Sequence, residues 1–269
     1  MLPIAELDTS TAKQIVGVVF DIDDTVTREG RVERIAFDAM WRLREAGLHL
    51  IAATGRPLGL AEVVAQHWPV DVAIGENGAG WIWLDANGHL RRGYFASLSE
   101  LDHERAVLKR IVARVQNELP SLELARDSHA RRCDVAWDIG EQRRENEETI
   151  AALLEIIHAE GAKSSVSSVH AHAFITACDK AQGAVRAARD AIGRDISTEM
   201  ASWLFVGDSG NDAAAFAAFP NSAAVENVRA HLTRIPNPPK FIASADRGRG
   251  FAEIVDVLLS RMRVADTVR

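Results

Sequence analysis

The chain has 269 residues and a formal net charge of −7, with 47% hydrophobic and 26% charged residues, the composition of a folded protein of one large or two moderate domains. Two cysteines without CxxC spacing, Cys133 and Cys178, exclude a disulfide framework, and the acidic balance lacks the basic face that nucleic acid requires. No apolar run is long enough for a membrane span, and MLPIAELDTSTAK lacks the basic-then-apolar pattern of a secretion signal, so a reduced, cytoplasmic setting is expected.

In chain order, residues 16–20 form a strand-like apolar run that ends in Asp21, Ile22, Asp23, Asp24 and Thr25. After the polar stretch REGRVE, residues Ile35, Phe37, Ala39, Met40, Leu43 and Ala46 recur at roughly helical spacing up to Gly47, a suitable helix stop. Residues 48–54 predict a second strand that runs into GRP, and Pro57 suits the first turn of a helix reaching about residue 67. A third strand is predicted at 70–74, ending at GENGAG. The alternating WIWLDANGHLRRGYF, with Asn87-Gly88 near its middle, predicts a hairpin. A β-α-β-α-β order calls for an α/β fold with a parallel sheet.

The character changes near Ser97. Residues 99–118 place Leu101, Val107, Leu108, Ile111, Val112 and Val115 on one side of a helix that Pro120 ends. Residues 130–140 alternate like an antiparallel strand, with Cys133, Val135 and Trp137 facing one way. A second helix is expected at 143–160, and residues 164–177 read as two short strands or one bent one. This block is a small α+β insert. The doubly wound pattern then resumes: a helix N-capped by Asp179 and reaching residue 192, a buried strand at 203–208, a helix at 212–219, short strands at 222–225 and 240–243, and a final helix over about 250–263. The segment IPNPPK is a turn-rich loop.

Two strands therefore end in acidic loops, FDIDDT and GDSGND, a third ends in ATGR, and Lys180 opens the helix that follows the insert. Ligands bind at the carboxyl ends of strands in open α/β sheets, and buried carboxylates are costly unless a cation or partner neutralises them. If the four segments share one sheet edge, they offer carboxylate oxygens to a hard cation, and a hydroxyl, backbone amides and an ammonium group to a phosphate.

The order DxDxT (Asp21, Asp23, Thr25), TGR (Thr54, Gly55, Arg56), Lys180 and GDxxND (Asp208, Asn211, Asp212) resembles the haloacid dehalogenase superfamily of phosphohydrolases. The α+β insert between TGR and the lysine resembles the type IIB cap, and the tail GRGFAEIVDVLL resembles the same Cof-like, sugar-phosphate phosphatase-like subgroup. The resemblance covers nearly the whole chain. It implies a doubly wound, mostly parallel Rossmann-like core sheet with an inserted smaller α+β cap: core over residues 1–94, cap over 95–177, core again over 178–269.

It also implies the chemistry. Asp21 would be the nucleophile, forming an aspartyl-phosphate; Asp23 would protonate the leaving alkoxide and then serve as base for water. Thr54 would hydrogen-bond the phosphoryl group and Lys180 would neutralise charge on it. Mg2+ would be held by Asp21, the backbone carbonyl of Asp23 and Asp208, with Asp212 orienting the metal's waters or Lys180 from behind and Asn211 beside it at the rim. Gly55, Arg56, Asn77, Arg132 and His170 would touch substrate. The expected activity is Mg2+-dependent hydrolysis of a small phosphate ester, a sugar phosphate or phosphoglycerate derivative, with no nucleic-acid or membrane partner and with monomer or homodimer left open. A phosphomutase of the same superfamily is the alternative enzyme. A phospho-receiver or regulatory protein is the alternative of another class, although receivers are much shorter and carry their nucleophile on a later strand. Two departures stand out: Asp24 where the superfamily more often has glycine, and DKAQGAV in place of the commoner DKGxAV.

Each residue also has an ordinary reading: a solvated turn for Asp21 and Asp23, a helix N-cap for Thr54, a surface position for Lys180 and Arg56, turns for Asn77 and Asn211. Four motifs in the right order outweigh these. His170 and His172, two apart, share a face of a strand; without a third ligand they are expected as structural or substrate-facing groups. Arg131 and Arg132 suit either an acidic substrate group or solvent. Trp41, Trp68, Trp81, Trp83, Trp137 and Trp203 are expected mostly in core packing.

Overall fold

The structure, a computed structural model, describes residues 1–167 and 169–263. Its elements in chain order are β1 (Leu2–Pro3), α1 (Thr9–Gln14), β2 (Gly17–Asp21), β3 (Thr27–Arg28), β4 (Arg31–Val32), α2 (Arg34–Glu45), β5 (His49–Ala53), α3 (Leu58–His67), β6 (Val72–Gly75), β7 (Gly80–Leu84), β8 (Leu90–Tyr94), α4 (Leu98–Glu118), β9 (Asp134–Asp138), α5 (Glu147–Ala159), β10 (Lys163–Val166), β11 (His170–Phe174), α6 (Lys180–Ile192), β12 (Trp203–Gly207), α7 (Ala213–Ala218), β13 (Asn221–Ala224), β14 (Phe241–Ile242) and α8 (Arg247–Arg263).

A nine-stranded sheet has the order β1-β14-β13-β12-β2-β5-β6-β7-β8. It is parallel from β1 to β6, and the hairpin β7–β8 adds two antiparallel strands. Strands β2 and β12 are buried at every position, because helices cover both faces. On one face, α2, α3 and α8 contribute Met40, Leu43, Val64, Phe251 and Leu258 to an apolar cluster with Val18 and Phe20. On the other, α6 and α7 bring Ala184, Ala187, Ala188 and Phe216 against Val19 and Phe205. The alternation of Val18 and Phe20 with Val19 is the period-2 pleat divided between two cores.

The insert has its own three-stranded antiparallel sheet, in the order β10-β11-β9. Helices α4 and α5 cover it through Ile111, Val115, Leu153 and Ile157, which pack with Trp137 and Ala173. Residues 164–177 contain two strands, not one bent strand; Ser168 of the connecting SSVHAH stretch lies outside the described residues.

Near the start, one pair of elements is added: β1 pairs with β14 at the sheet edge, and Asp8 caps α1 by accepting from Thr11 N. One expectation is corrected. Cys133 precedes β9 and is buried with Leu101 in the main core cluster, not on the strand face that carries Trp137. The tryptophans are mostly in core packing, as expected: Trp81, Trp137 and Trp203 are buried, Trp68 and Trp83 pack against the core clusters, and Trp41 is exposed.

Candidate active site

Register brings the motifs together. Asp21 pairs with Ala53 and Phe20 with Val206, so the ends of β2, β5 and β12 stand level. Thr54 follows Ala53, and Asp208 follows Gly207. The carboxylates of Asp21, Asp208 and Asp212 are all buried, with ligand atoms within 4.8 Å of one another. Lys180 Nζ donates to Asp212 Oδ1 at 2.6 Å and also to Asp21 Oδ1. Asp212 Oδ2 accepts the backbone N–H groups of Asp208 (2.9 Å) and Ser209 (3.1 Å), so Asp212 shapes the loop and holds the lysine. Asp21 Oδ2 has no hydrogen-bond partner among the described residues.

Three buried carboxylates share one ammonium. Burial, reinforced by Asp212, Asp208 and Asp23, raises the Asp21 pKa well above the usual carboxylate range despite Lys180. Burial and then Asp212 push Asp208 up to about 7. Burial works against the charge on Lys180, but Asp21 and Asp212 hold its pKa above that of an ordinary lysine. The cluster is short of positive charge, and its donors are hard oxygens. A hard divalent cation such as Mg2+ fits both facts.

Asp23 stands apart from this cluster. Its Oδ2 accepts from Thr54 Oγ1 (3.0 Å) and its Oδ1 from Arg56 Nε (3.1 Å). Its side chain is partly exposed. Thr54 Oγ1 also accepts Arg56 N at 3.0 Å, so it fastens the turn into α3 while it touches Asp23. Asp24 takes the left-handed backbone conformation, φ 55°. That explains how aspartate stands where the superfamily prefers glycine, since Asp tolerates this region better than most residues. The Asp24 carboxylate is held by Arg247 Nε at 2.8 Å.

Asn227 was not anticipated. Its Nδ2 donates to Asp208 Oδ2 (2.8 Å) and to the Asp24 carbonyl (3.1 Å), while its Oδ1 accepts Arg247 N (3.1 Å). It joins both acidic loops to the start of α8. A lone asparagine in a 3-10 turn carries no sequence signal for that role. Asn211, expected beside Asp212, is exposed, and its amide oxygen accepts from Ser209 Oγ at 2.7 Å.

A protein-family model described as sucrose-6F-phosphate phosphohydrolase matches residues 15–253. The chain belongs to this family. Members of the sucrose-6F-phosphate phosphohydrolase family are haloacid dehalogenase-superfamily phosphatases, and this one is accordingly a phosphoric monoester hydrolase. A search of curated protein sequences found no significant match. Solved structures share the fold. A sucrose-phosphatase from a Synechocystis species, in complex with sucrose and phosphate, is 15% identical with a TM-score of 0.63, over 93% of this chain and 98% of that one. Protein 0175 of Thermoplasma acidophilum is 17% identical with a TM-score of 0.66, over 91% and 98%. A trehalose-6-phosphate phosphatase related protein is 18% identical with a TM-score of 0.58, over 91% and 97%.

In this member of the sucrose-6F-phosphate phosphohydrolase family the insert reaches the site through a chain of charges. Arg56 Nη1 lies 3.9 Å from Asp127 Oδ2. Arg131, whose side chain is 2% exposed, bridges Asp127 (3.1 Å) and Asp134 (2.9 Å), and His172 Nδ1 lies 2.9 Å from Asp134 Oδ2. Arg131 and His172 are thus structural. His170, expected at substrate, is buried with Nε2 2.9 Å from Glu141 Oε2. Glu141 is among the carboxylates whose charge raises the Arg56 pKa, after Asp23 and Asp127. Arg132 is placed elsewhere: its side chain lines a cavity with Arg92, Arg105 and Tyr94.

Glu76 and Asn77 occupy consecutive left-handed positions, φ 51° and 54°. Asn77 N donates to Thr54 O at 3.1 Å. Its side-chain amide packs on Gly55, where a Cβ would lie only 3.0 Å from Asn77 Oδ1, and that oxygen is buried without a hydrogen-bond partner. Glu76, read in the sequence only as part of an ENG turn, accepts backbone N–H groups from Leu58 and from Arg132, Cys133 and Asp134. It clamps the entry of β9 to the core.

Proposed function

We propose that the chain is a Mg2+-dependent phosphatase that hydrolyses the phosphate ester of a small sugar or sugar derivative through a covalent intermediate on Asp21. The observation that carries this reading is the pairing of a buried, lysine-held Asp21 having one free oxygen with a separate carboxylate, Asp23, held beside it by Thr54 and Arg56. Asp21 Oδ2 attacks phosphorus in line while Lys180 holds Oδ1 in place and its charge opposes the effect of burial. Asp23 gives its proton to the departing alkoxide. It then takes one from the incoming water, whose oxygen attacks phosphorus and releases inorganic phosphate, restoring Asp21. Asp21, Asp208 and the backbone carbonyl of Asp23 are the groups that would hold Mg2+, which supplies positive charge against the phosphoryl oxygens when bound. Thr54 turns its hydroxyl between Asp23 and the phosphoryl group. The insert, taken as residues 95–177, covers the site and excludes bulk water. Asp127, Glu141 and His170 on its inner side offer hydrogen bonds to a hydroxyl-rich leaving group.

Phosphate release should be measured across sugar monophosphates, including sucrose 6F-phosphate and trehalose 6-phosphate, with and without Mg2+. Release from at least one of them, abolished by EDTA, restored by Mg2+ and absent in a folded Asp21→Asn variant, is the expected result. Near-normal release by Asp21→Asn would overturn the mechanism. Isomer formation without net phosphate release would replace it by a phosphomutase.

A further inference from the structure

A cavity of about 560 Å³ lies where α3, β7 and β8 of the core meet α4 and residues 130–132 of the insert. None of Asp21, Asp23, Thr54 or Lys180 lines it. Its polar wall is cationic: Arg92, Arg105 and Arg132 face one carboxylate, Glu62. Glu62 is matched by Arg92, at 2.8 Å. Arg105 uses Nε on the Arg132 carbonyl at 3.3 Å, and its Nη1 stays 3.9 Å from exposed Asp102, beyond hydrogen-bond reach. The Arg132 guanidinium and the Tyr94 hydroxyl have no partner among the described residues. In a chain of net charge −7, this is a local surplus of positive charge around a space of small-molecule size.

We propose that this cavity is a second ligand site, for a small polyanion carrying carboxylate or phosphate groups, and that its occupant bridges the core and the insert. Planar guanidinium forks bind such groups in a bidentate manner. Arg92 and Tyr94 come from the core, Arg105 and Arg132 from the insert, so one anion is held from both sides. The walls already touch at the cavity floor, where a Cβ on Gly59 would lie 2.8 Å from Ala130 Cβ. The backbone of Arg132 is fixed to the core by Glu76 at 2.9 Å.

The test is calorimetric titration with tricarballylate and with methylenediphosphonate in metal-free buffer. It involves no turnover and is independent of the function proposed above. Saturable binding of either anion is expected, with the responding anion telling carboxylate from phosphate chemistry. Affinity should fall at least about tenfold in Arg105→Gln and in Arg132→Gln and persist in Asp208→Asn. Binding should also raise the melting temperature. If Arg105→Gln disturbs folding, Arg132→Gln, an exposed position, carries the test alone. No binding of either anion, or binding lost in Asp208→Asn but kept in both arginine variants, would overturn the proposal.

Discussion

Gly183 packs against Gly78: a Cβ on Gly183 would lie 2.5 Å from Gly78 Cα, and one on Gly78 would lie 2.2 Å from the Asp179 carbonyl. The turn after β6 and the first turn of α6 thus meet backbone to backbone, and this contact sets where Lys180 stands. It also accounts for DKAQGAV: the glycine is needed at 183, where the helix crosses the turn. Gly183→Ala should destabilise the fold by about 1–3 kcal/mol through overpacking. Because α6 must lift, kcat should fall more than KM changes. Urea unfolding and steady-state phosphate release check the two effects separately.

Asn227 ties Asp208 and the Asp24 carbonyl to α8. Asn227→Ala leaves every expected metal ligand in the chain but frees their orientation. The Mg2+ concentration for half-maximal activity should rise by about 10–100-fold, as for other groups that orient ligands. Saturating Mg2+ should recover most of kcat. An Mg2+ titration of phosphate release gives the answer.

Among the described residues, Lys180 is the one cation that touches Asp21 and Asp212. Lys180→Met leaves those carboxylates and Asp208 together without compensation. Removing one partner of a buried ion pair costs about 3–5 kcal/mol, and losing a donor aimed at developing charge costs about 100–1000-fold in kcat. Adding Asp212→Asn should recover part of the stability but none of the activity. Thermal unfolding and kinetics on the single and double variants separate these outcomes.

Glu76 has its pKa raised from 4.5 to about 7, by burial first and then by Asp134, against its backbone N–H donors. The folded chain therefore holds this proton more tightly than the unfolded chain. The resulting stability is complete below about pH 4.5 and is lost as pH rises through about 7, with a magnitude on the order of 3 kcal/mol. Replacing Glu76 by Gln should flatten the decline in unfolding free energy between about pH 5 and 7.5, leaving the part due to Asp208 and Asp21. The variant should also be less stable throughout, because its amide group presents N–H to N–H donors. Urea unfolding at a series of pH values tests both.

The parts legible in the sequence are those that concentrate their signal locally. Buried parallel strands read as unbroken apolar runs, so VGVVF and WLFVG announced β2 and β12, and the acids that follow them announced the sheet edge. The insert was visible as a change from that pattern to alternating strands and amphipathic helices. What stayed hidden depends on distant partners. Asn227, the Glu76 clamp and the Asp127–Arg131–Asp134–His172 chain consist of ordinary polar residues whose meaning comes only from tertiary contact. Arg132, expected at substrate, lines a separate cavity, and the Glu141 partner of His170 lies 29 positions away, out of reach of any local pattern. Strand β1 has two residues, too few for any periodicity to show.

The tether from Asp24 to Arg247 has a consequence for biosynthesis. Asp21 and Asp23 leave the ribosome early, but β2 gains its second neighbour only when β12 has been made, after the whole insert. Asp208, Asn227 and Arg247 arrive later still. The loop that carries Asp21 and Asp23 is held by Asn227 and Arg247, 203 and 223 positions beyond Asp24, so a nascent polypeptide carries these aspartates in an unassembled state until both have been made. Long-range parallel pairing of this kind is slow, and the acidic loop gains its Arg247 tether only once the start of α8 exists.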